Sequence, residues 1–167
     1  MKTAFVDCGG YDGRTVRRLT KPYDKIYVFE PDANMSSFYA DLNVELIAKA
    51  AWVYNGSVDF YLGDNTQGSS VCKSKITGKL SDTPIRVPCI DLSNWLAQLI
   101  TEYDVTLKLN VEGAEYGILR KMLRDGVFVK RLIVAFHWDK IGMPEKVHLD
   151  LLDQLKTVEI WGPHVDV

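Results

Sequence analysis

Thr3-Ala4-Phe5-Val6-Asp7-Cys8-Gly9-Gly10-Tyr11-Asp12-Gly13 is a short apolar run that drives straight into a glycine-rich turn. The run reads as a strand. A helix is predicted from Thr15 to about Thr20, and Pro22 ends it. Residues 25–30 form a second strand, apolar on both faces, as expected of a parallel strand covered on both sides. Glycines at the end of such a strand let the backbone approach a ligand closely, and the next helix start offers unpaired N–H groups.

Strand and helix go on alternating down the chain. Pro31-Asp32 opens a helix to about Leu42, and residues 44–54 are apolar and extended. Asn55-Gly56 then leads into a further strand over 57–62. That dipeptide between two such runs predicts a two-residue hairpin, and hence one antiparallel pair within the parallel pattern. Residues 63–83 are rich in Gly, Ser, Thr, Asp and Lys without periodicity, and a loop of that length is usually functional or mobile. A strand over 85–90 precedes a helix in which Leu92, Trp95, Leu96, Leu99 and Ile100 form one apolar stripe. Strands are predicted over 104–111 and 131–138, and a last one from Thr157. Helices are predicted over 114–124, stopping at Gly126, and over 144–156, with Val147, Leu151 and Leu155 on one face. The pattern predicts an α/β fold with a doubly wound, mostly parallel sheet, whose ligands bind beyond the carboxyl ends of the strands.

The chain has 167 residues, enough for one domain over 1–167 with a real core. Apolar residues make up 47% and charged residues 25%, which excludes a disordered chain. Net charge is −2 and no basic run stands out, so no nucleic-acid partner is expected. Cys8, Cys72 and Cys89 are far apart and read as reduced thiols, not as a disulfide framework or a metal site. With no leader-like or membrane-spanning stretch, a cytoplasmic protein without a membrane partner is expected.

The candidate site residues are those that follow the strands. A GxGxxG dinucleotide fingerprint would need glycine at position 8, which is Cys8, so that pattern is broken. Glu30 ends the second strand 23 residues after Asp7, where a carboxylate can accept both hydroxyls of a ribose; a plain helix cap is the alternative. Asn110, Glu112 and Glu115 follow the strand over 104–111. Asn110 and Glu112 are candidates for orienting a substrate or handling a proton, whereas Glu115 reads as a complement to the helix dipole. His137 could take a proton from a hydroxyl, with a hydrogen-bonded core histidine as the rival. His148 reads as a packing residue, and His164 carries little information.

Taken together, these segments resemble the FkbM family of S-adenosylmethionine-dependent methyltransferases over roughly residues 4–140. The resemblance rests on four segments: Val6 to Gly13, Val28-Phe29-Glu30-Pro31, Ile90-Asp91-Leu92, and Lys108 to Glu115 with Val-Glu-Gly-Ala-Glu intact. It implies a class I, Rossmann-like methyltransferase fold and S-adenosyl-L-methionine as cofactor. Asp7, Gly9, Gly10, Tyr11 and Gly13 would surround the amino-acid part of the cofactor and Glu30 the ribose. Adenine would lie near Phe29, Pro31, Ala50, Ala51 and Trp52. The implied reaction is O-methylation of a small-molecule or carbohydrate acceptor, with Glu112 or His137 as base or orienting group and Ser69-Ser70 in a lid-like loop. Two departures bear on catalysis: Asn110 stands where the family has Asp, and Ala135 where it often has a carboxylate. A domain that binds cofactor or a protein partner without turnover is therefore the rival reading, ahead of a nicotinamide oxidoreductase. An open cleft, the long loop or a second subunit in a homodimer would each be a way to enclose the acceptor.

Overall fold

The computed structural model of the chain describes residues 1–64, 68–76, 79–162, 165 and 167. His164 and parts of the 63–83 stretch fall outside them. In chain order the first half contains β1 (Lys2–Cys8), α1 (Arg14–Arg17), β2 (Lys25–Phe29), a 3-10 helix (Ala33–Tyr39), β3 (Glu45–Ile47), β4 (Ala50–Trp52) and β5 (Gly56–Phe60). The second half contains β6 (Ile85–Asp91), α2 (Leu92–Leu99), β7 (Tyr103–Leu109), α3 (Glu115–Asp125), β8 (Arg131–Val134), α4 (Glu145–Leu155) and β9 (Glu159–Ile160). Six strands form one sheet in the order β3-β2-β1-β7-β8-β9, and every pairing in it is parallel.

The alternation of β1 explains why the sheet is covered on both faces. Ala4, Val6 and Cys8 point into a core with Leu107 and Leu109 of β7, Leu92 and Leu96 of α2, and Ile118 and Leu119 of α3. Phe5 points the other way, against Ile133, Tyr23 and Trp161. Each fully buried aliphatic side chain on these faces contributes roughly 1.5–3 kcal/mol. Asp91 caps α2 by accepting the Asn94 N–H at 3.1 Å. Gly126 ends α3 in the left-handed region (φ 69°), the conformation a glycine stop supplies.

Three sequence expectations are corrected. First, the run from residue 44 to 54 and the run after Asn55-Gly56 do not pair as a hairpin. The small second sheet runs β4-β6-β5, so β6 lies between them, parallel to β4 and antiparallel to β5. The tight turn is missing because Asn55 does not take the positive φ that a two-residue turn of this kind requires at both central positions. The Asn55 side chain instead accepts the Asp91 N–H at 2.9 Å and so joins the entering strand. Second, the helix after Pro31 is 3-10, with Asp32 accepting the Asn34 N–H at 3.0 Å. Third, the strand expected over 131–138 ends at Val134. The Ala135 N–H still reaches Leu109 O, but the His137 N–H goes to a side chain, which takes the backbone out of the ladder.

A buried ion pair joins the two central strands. Lys108 Nζ of β7 lies 2.7 Å from Asp7 Oδ1 of β1, with both side chains essentially inaccessible to water. Lys108 also sits over the Trp161 ring, 5.4 Å from its centroid. Burial pushes the Asp7 carboxyl up and Lys108 works against it. Removing one partner strands the other charge in the core. Lys108→Met is thus expected to lower stability by about 3–5 kcal/mol, and Asp7→Leu/Lys108→Met to recover most of that loss, both read by urea denaturation.

Candidate functional site at the carboxyl ends of β1 and β7

Strand order reverses between β1 and β7, since β2 and β3 lie on one side of the pair and β8 and β9 on the other. Loops leaving such a point diverge and open a crevice. Here the crevice is a cleft of about 370 Å³, and residues that follow β1, β2 and β7 line it. Among the described residues three that are not glycine are held at positive φ, and two of them border the cleft, Tyr11 at 50° and Glu112 at 52°, one after each central strand. Such conformations cost about 1–3 kcal/mol each and persist only where surrounding structure enforces them.

The glycine turn brings backbone, not side chain, to the cleft. Gly9 adopts φ 81°, and a Cβ there would overlap the Asn110 carbonyl. A Cβ on Gly10 would run into Val28 and the Tyr39 hydroxyl. The Gly9 N–H donates to Phe29 O at 3.0 Å and the Asn110 N–H to Cys8 O at 3.0 Å, so three strand ends are tied together under the cleft. Gly13 is also in the left-handed region (φ 74°), but it packs against Tyr39 and Leu42 and serves the turn into α1.

Glu30 is buried and lines the cleft. Its Oε2 accepts the Tyr11 N–H at 2.8 Å and its Oε1 the Asp32 N–H at 2.9 Å. It therefore holds two turns in register, and each oxygen keeps a second lone pair for a ligand hydroxyl. Burial raises its carboxyl and the two backbone donors work against that.

Of the residues expected at the site, Gly9, Gly10, Tyr11, Glu30, Pro31, Ala51, Asn110 and Glu112 line the cleft. Asp7, Gly13, Trp52 and His137 do not. Asp7 is sealed beneath the turn, and its Oδ2 is the one buried side-chain oxygen or nitrogen among the described residues without a hydrogen-bond partner. Trp52 turns away from the cleft and packs beside Gly117 of α3.

His137 is buried next to the cleft, and both ring nitrogens are engaged. Nδ1 lies 3.0 Å from Glu115 Oε1 and Nε2 lies 3.3 Å from Glu112 Oε1. Burial alone would lower its pKa, but the two carboxylates outweigh burial and raise it to about 9. Both ring nitrogens face carboxylate oxygens, an arrangement that favours the protonated ring. Glu112 shows the complement. Burial would raise its carboxyl, but His137 and the Lys75 ammonium 2.9 Å away hold it down at about 2. Lys75 also donates to Gly68 O, and the Ser70 hydroxyl donates to Glu112 O at 2.7 Å. Residues 68–76 are thereby fastened to the turn after β7.

Sequence reasoning missed three participants. Lys108 stood in a quoted segment, but nothing local marked it as the partner of Asp7. Glu115 does accept the Gly113 N–H at the start of α3, as a dipole complement would, yet it also grips His137. Lys75 lies in an aperiodic loop and carried no signal. His148 is a packing residue: it accepts or donates at Tyr116 Oη (3.0 Å) and stacks on Trp138. Among the described residues no cluster of His, Cys, Asp and Glu forms a metal site, and no helix is long and apolar enough to cross a membrane.

A parallel sheet reversing at β1 and β7, with a glycine turn and an acidic strand end at the reversal, is a Rossmann-like nucleotide-binding architecture of the methyltransferase kind. The sequence pattern of the methyltransferase FkbM domain matches residues 7–157, nearly the whole chain, and the chain belongs to that family. No curated protein and no solved structure gives a match.

The paired shifts dictate a pH profile. The folded carboxyl of Glu112 at about 2 lies below its ordinary 4.5, so its contribution is complete above 4.5 and fades as pH falls toward 2. The folded imidazole of His137 at about 9 lies above its ordinary 6.5, so its contribution is complete below 6.5 and is lost as pH rises through 9. Thermal unfolding followed against pH is expected to show a steeper alkaline decline between about 6.5 and 9 in the native chain than in His137→Gln.

Proposed function

We propose that the chain transfers a methyl group from S-adenosylmethionine to a hydroxyl oxygen of a small molecule or glycan. The observation that carries this reading is the distribution of groups along one cleft. Backbone-only surface at Gly9-Gly10, the Glu30 carboxylate, the Asn110 amide and the Glu112 carboxylate all line it. The overlap that a Cβ at Gly9 or Gly10 would cause, and the spare lone pairs of Glu30, fit a nucleoside with an amino-acid tail. Gly9, Gly10 and Tyr11 would take that tail, Glu30 the ribose hydroxyls, and Phe29, Pro31, Ala50 and Ala51 the adenine side. Asp7 and Gly13 would act from beneath, by holding the turn.

When bound, the cofactor supplies an electrophilic methyl carried on a sulfonium. The chain's own part is alignment, which can supply a large share of the acceleration in an in-line displacement. Asn110 offers an amide to the acceptor. Glu112 offers a carboxylate that accepts the hydrogen bond of the attacking hydroxyl. A carboxyl held at about 2 is a weak base, so orientation of the hydroxyl outweighs proton removal in this role. Cys8, Cys72 and Cys89 are free thiols, which suits a reducing, cytoplasmic compartment. A second reading, a domain that binds cofactor without turnover, is favoured by the uncharged Asn110 and by the full engagement of His137.

Calorimetry with S-adenosylmethionine and S-adenosylhomocysteine tests both readings, and no binding at millimolar ligand would sink them together. Screening of hydroxylated acceptors with methyl-labelled cofactor then separates turnover from binding. Glu30→Ala is expected to weaken S-adenosylhomocysteine binding by about ten- to hundredfold, since hydrogen bonds to a charged acceptor are worth roughly 1.5–3 kcal/mol each. Glu30→Gln keeps the shape and one acceptor oxygen and should fall between. Equal affinity in all three proteins would leave Glu30 as a turn brace alone.

A further inference from the structure

Glu115 is completely buried, lies outside the cleft lining and is nevertheless one of the most connected carboxylates in the molecule. Its Oε2 accepts the Gly113 N–H at 2.8 Å. Its Oε1 accepts two donors from one residue, the His137 N–H at 2.8 Å and His137 Nδ1 at 3.0 Å. A residue serving only the helix dipole would need the first contact and not the other two. His137 passes the interaction on to Glu112 Oε1, and Glu112 Oε2 meets Lys75. Charges alternate along this chain, from the start of α3 to the 68–76 segment, and the ends are 40 residues apart in sequence.

We propose that Glu115 is a positioning residue that, through His137, fixes the direction in which the Glu112 carboxylate faces the cleft and anchors residues 68–76 over it. The inference rests on the reading of the cleft given above. Glu112 sits at a positive φ in a turn completed by Gly113 at φ 109°, so its backbone does not hold the side chain by itself. Two clamps do, the imidazolium on one oxygen and Lys75 on the other. Glu115 occupies Nδ1 and the backbone N–H of His137 together, which sets the ring plane and, by stabilising the imidazolium, supports the second proton on Nε2 that faces Glu112. The groups facing His137 are Glu115 from α3 and Glu112 from the turn, with Lys75 behind Glu112. Cys72 packs against Gly113, and burial, together with the Glu115 charge, pushes its thiol up. A neutral residue at 115 leaves His137 free to lose its proton, and Glu112 keeps only its loop-side clamp.

The test compares the native chain with Glu115→Gln and His137→Gln. The imidazole of His137 is titrated by NMR, and amide exchange at Cys72 and Lys75 is measured with S-adenosylhomocysteine present. In the native chain the ring should stay protonated through neutral pH, and in Glu115→Gln its titration should move down by about one unit or more. Both variants should speed exchange at Cys72 and Lys75 by about tenfold, and the double variant should add little to either, as members of one linked network do. A titration of His137 unmoved in Glu115→Gln overturns the proposal, even where stability falls, because a structural acid alone would lower stability without moving that signal. If Glu115→Gln does not fold, His137→Gln decides, and unchanged exchange in 68–76 overturns it. Binding of S-adenosylhomocysteine by the native chain tests the cleft reading separately, so the two failures remain distinguishable.

Discussion

The site depends on one approach of two strands. Asp7 of β1 and Lys108 of β7 meet at 2.7 Å without water, immediately below the point where the chain reverses its direction of travel across the sheet. An ion pair in that setting adds little net stability, since desolvation offsets much of the attraction, but it is intolerant of any other register. One residue of slip would bury two unpaired charges. With the register enforced, Gly9 lies against the Asn110 carbonyl, and the two turns carrying the strained Tyr11 and Glu112 face each other across the cleft.

The two carboxylates of the cleft differ in what holds them. The carboxylate of Glu30 is satisfied by backbone N–H groups, so its position is as firm as the turns that it braces. The carboxylate of Glu112 is satisfied by side-chain donors, His137 before Trp138 and Lys75 from the long loop. Backbone donors cannot leave without unfolding the turn, whereas side-chain donors can. The two carboxylates of the cleft are thus held by two kinds of hydrogen bond.

What could be read from the chain was what is settled locally. The glycine turn, the acidic end of β2, the apolar stripe of α2 and the stop at Gly126 each follow from residues within one turn of one another, and each is found in place. Asn55-Gly56 misled because its conformation is settled by Asp91, 36 residues away, which takes the Asn55 oxygen and lets β6 enter between the flanking strands. His137 stood out as a titratable group after a strand, but its raised pKa did not, because that depends on Glu112 and Glu115, 25 and 22 residues away. Trp52 lies outside the cleft lining and beside Gly117 of α3, a long-range contact that no neighbouring residue announces.

The insertion of β6 next to β5 has a consequence for how the fold can diversify. Phe60 and Ile85 are register partners, so the segment 61–84 leaves the small sheet and returns to it at adjacent points. Its two ends are stapled by the same antiparallel ladder. Lengthening a loop closed in this way costs only about 0.6 kcal/mol for each doubling. A change of length between these two fixed points is therefore limited less by chain closure than by Ser70 and Lys75, whose hold on Glu112 any new segment would have to keep or replace.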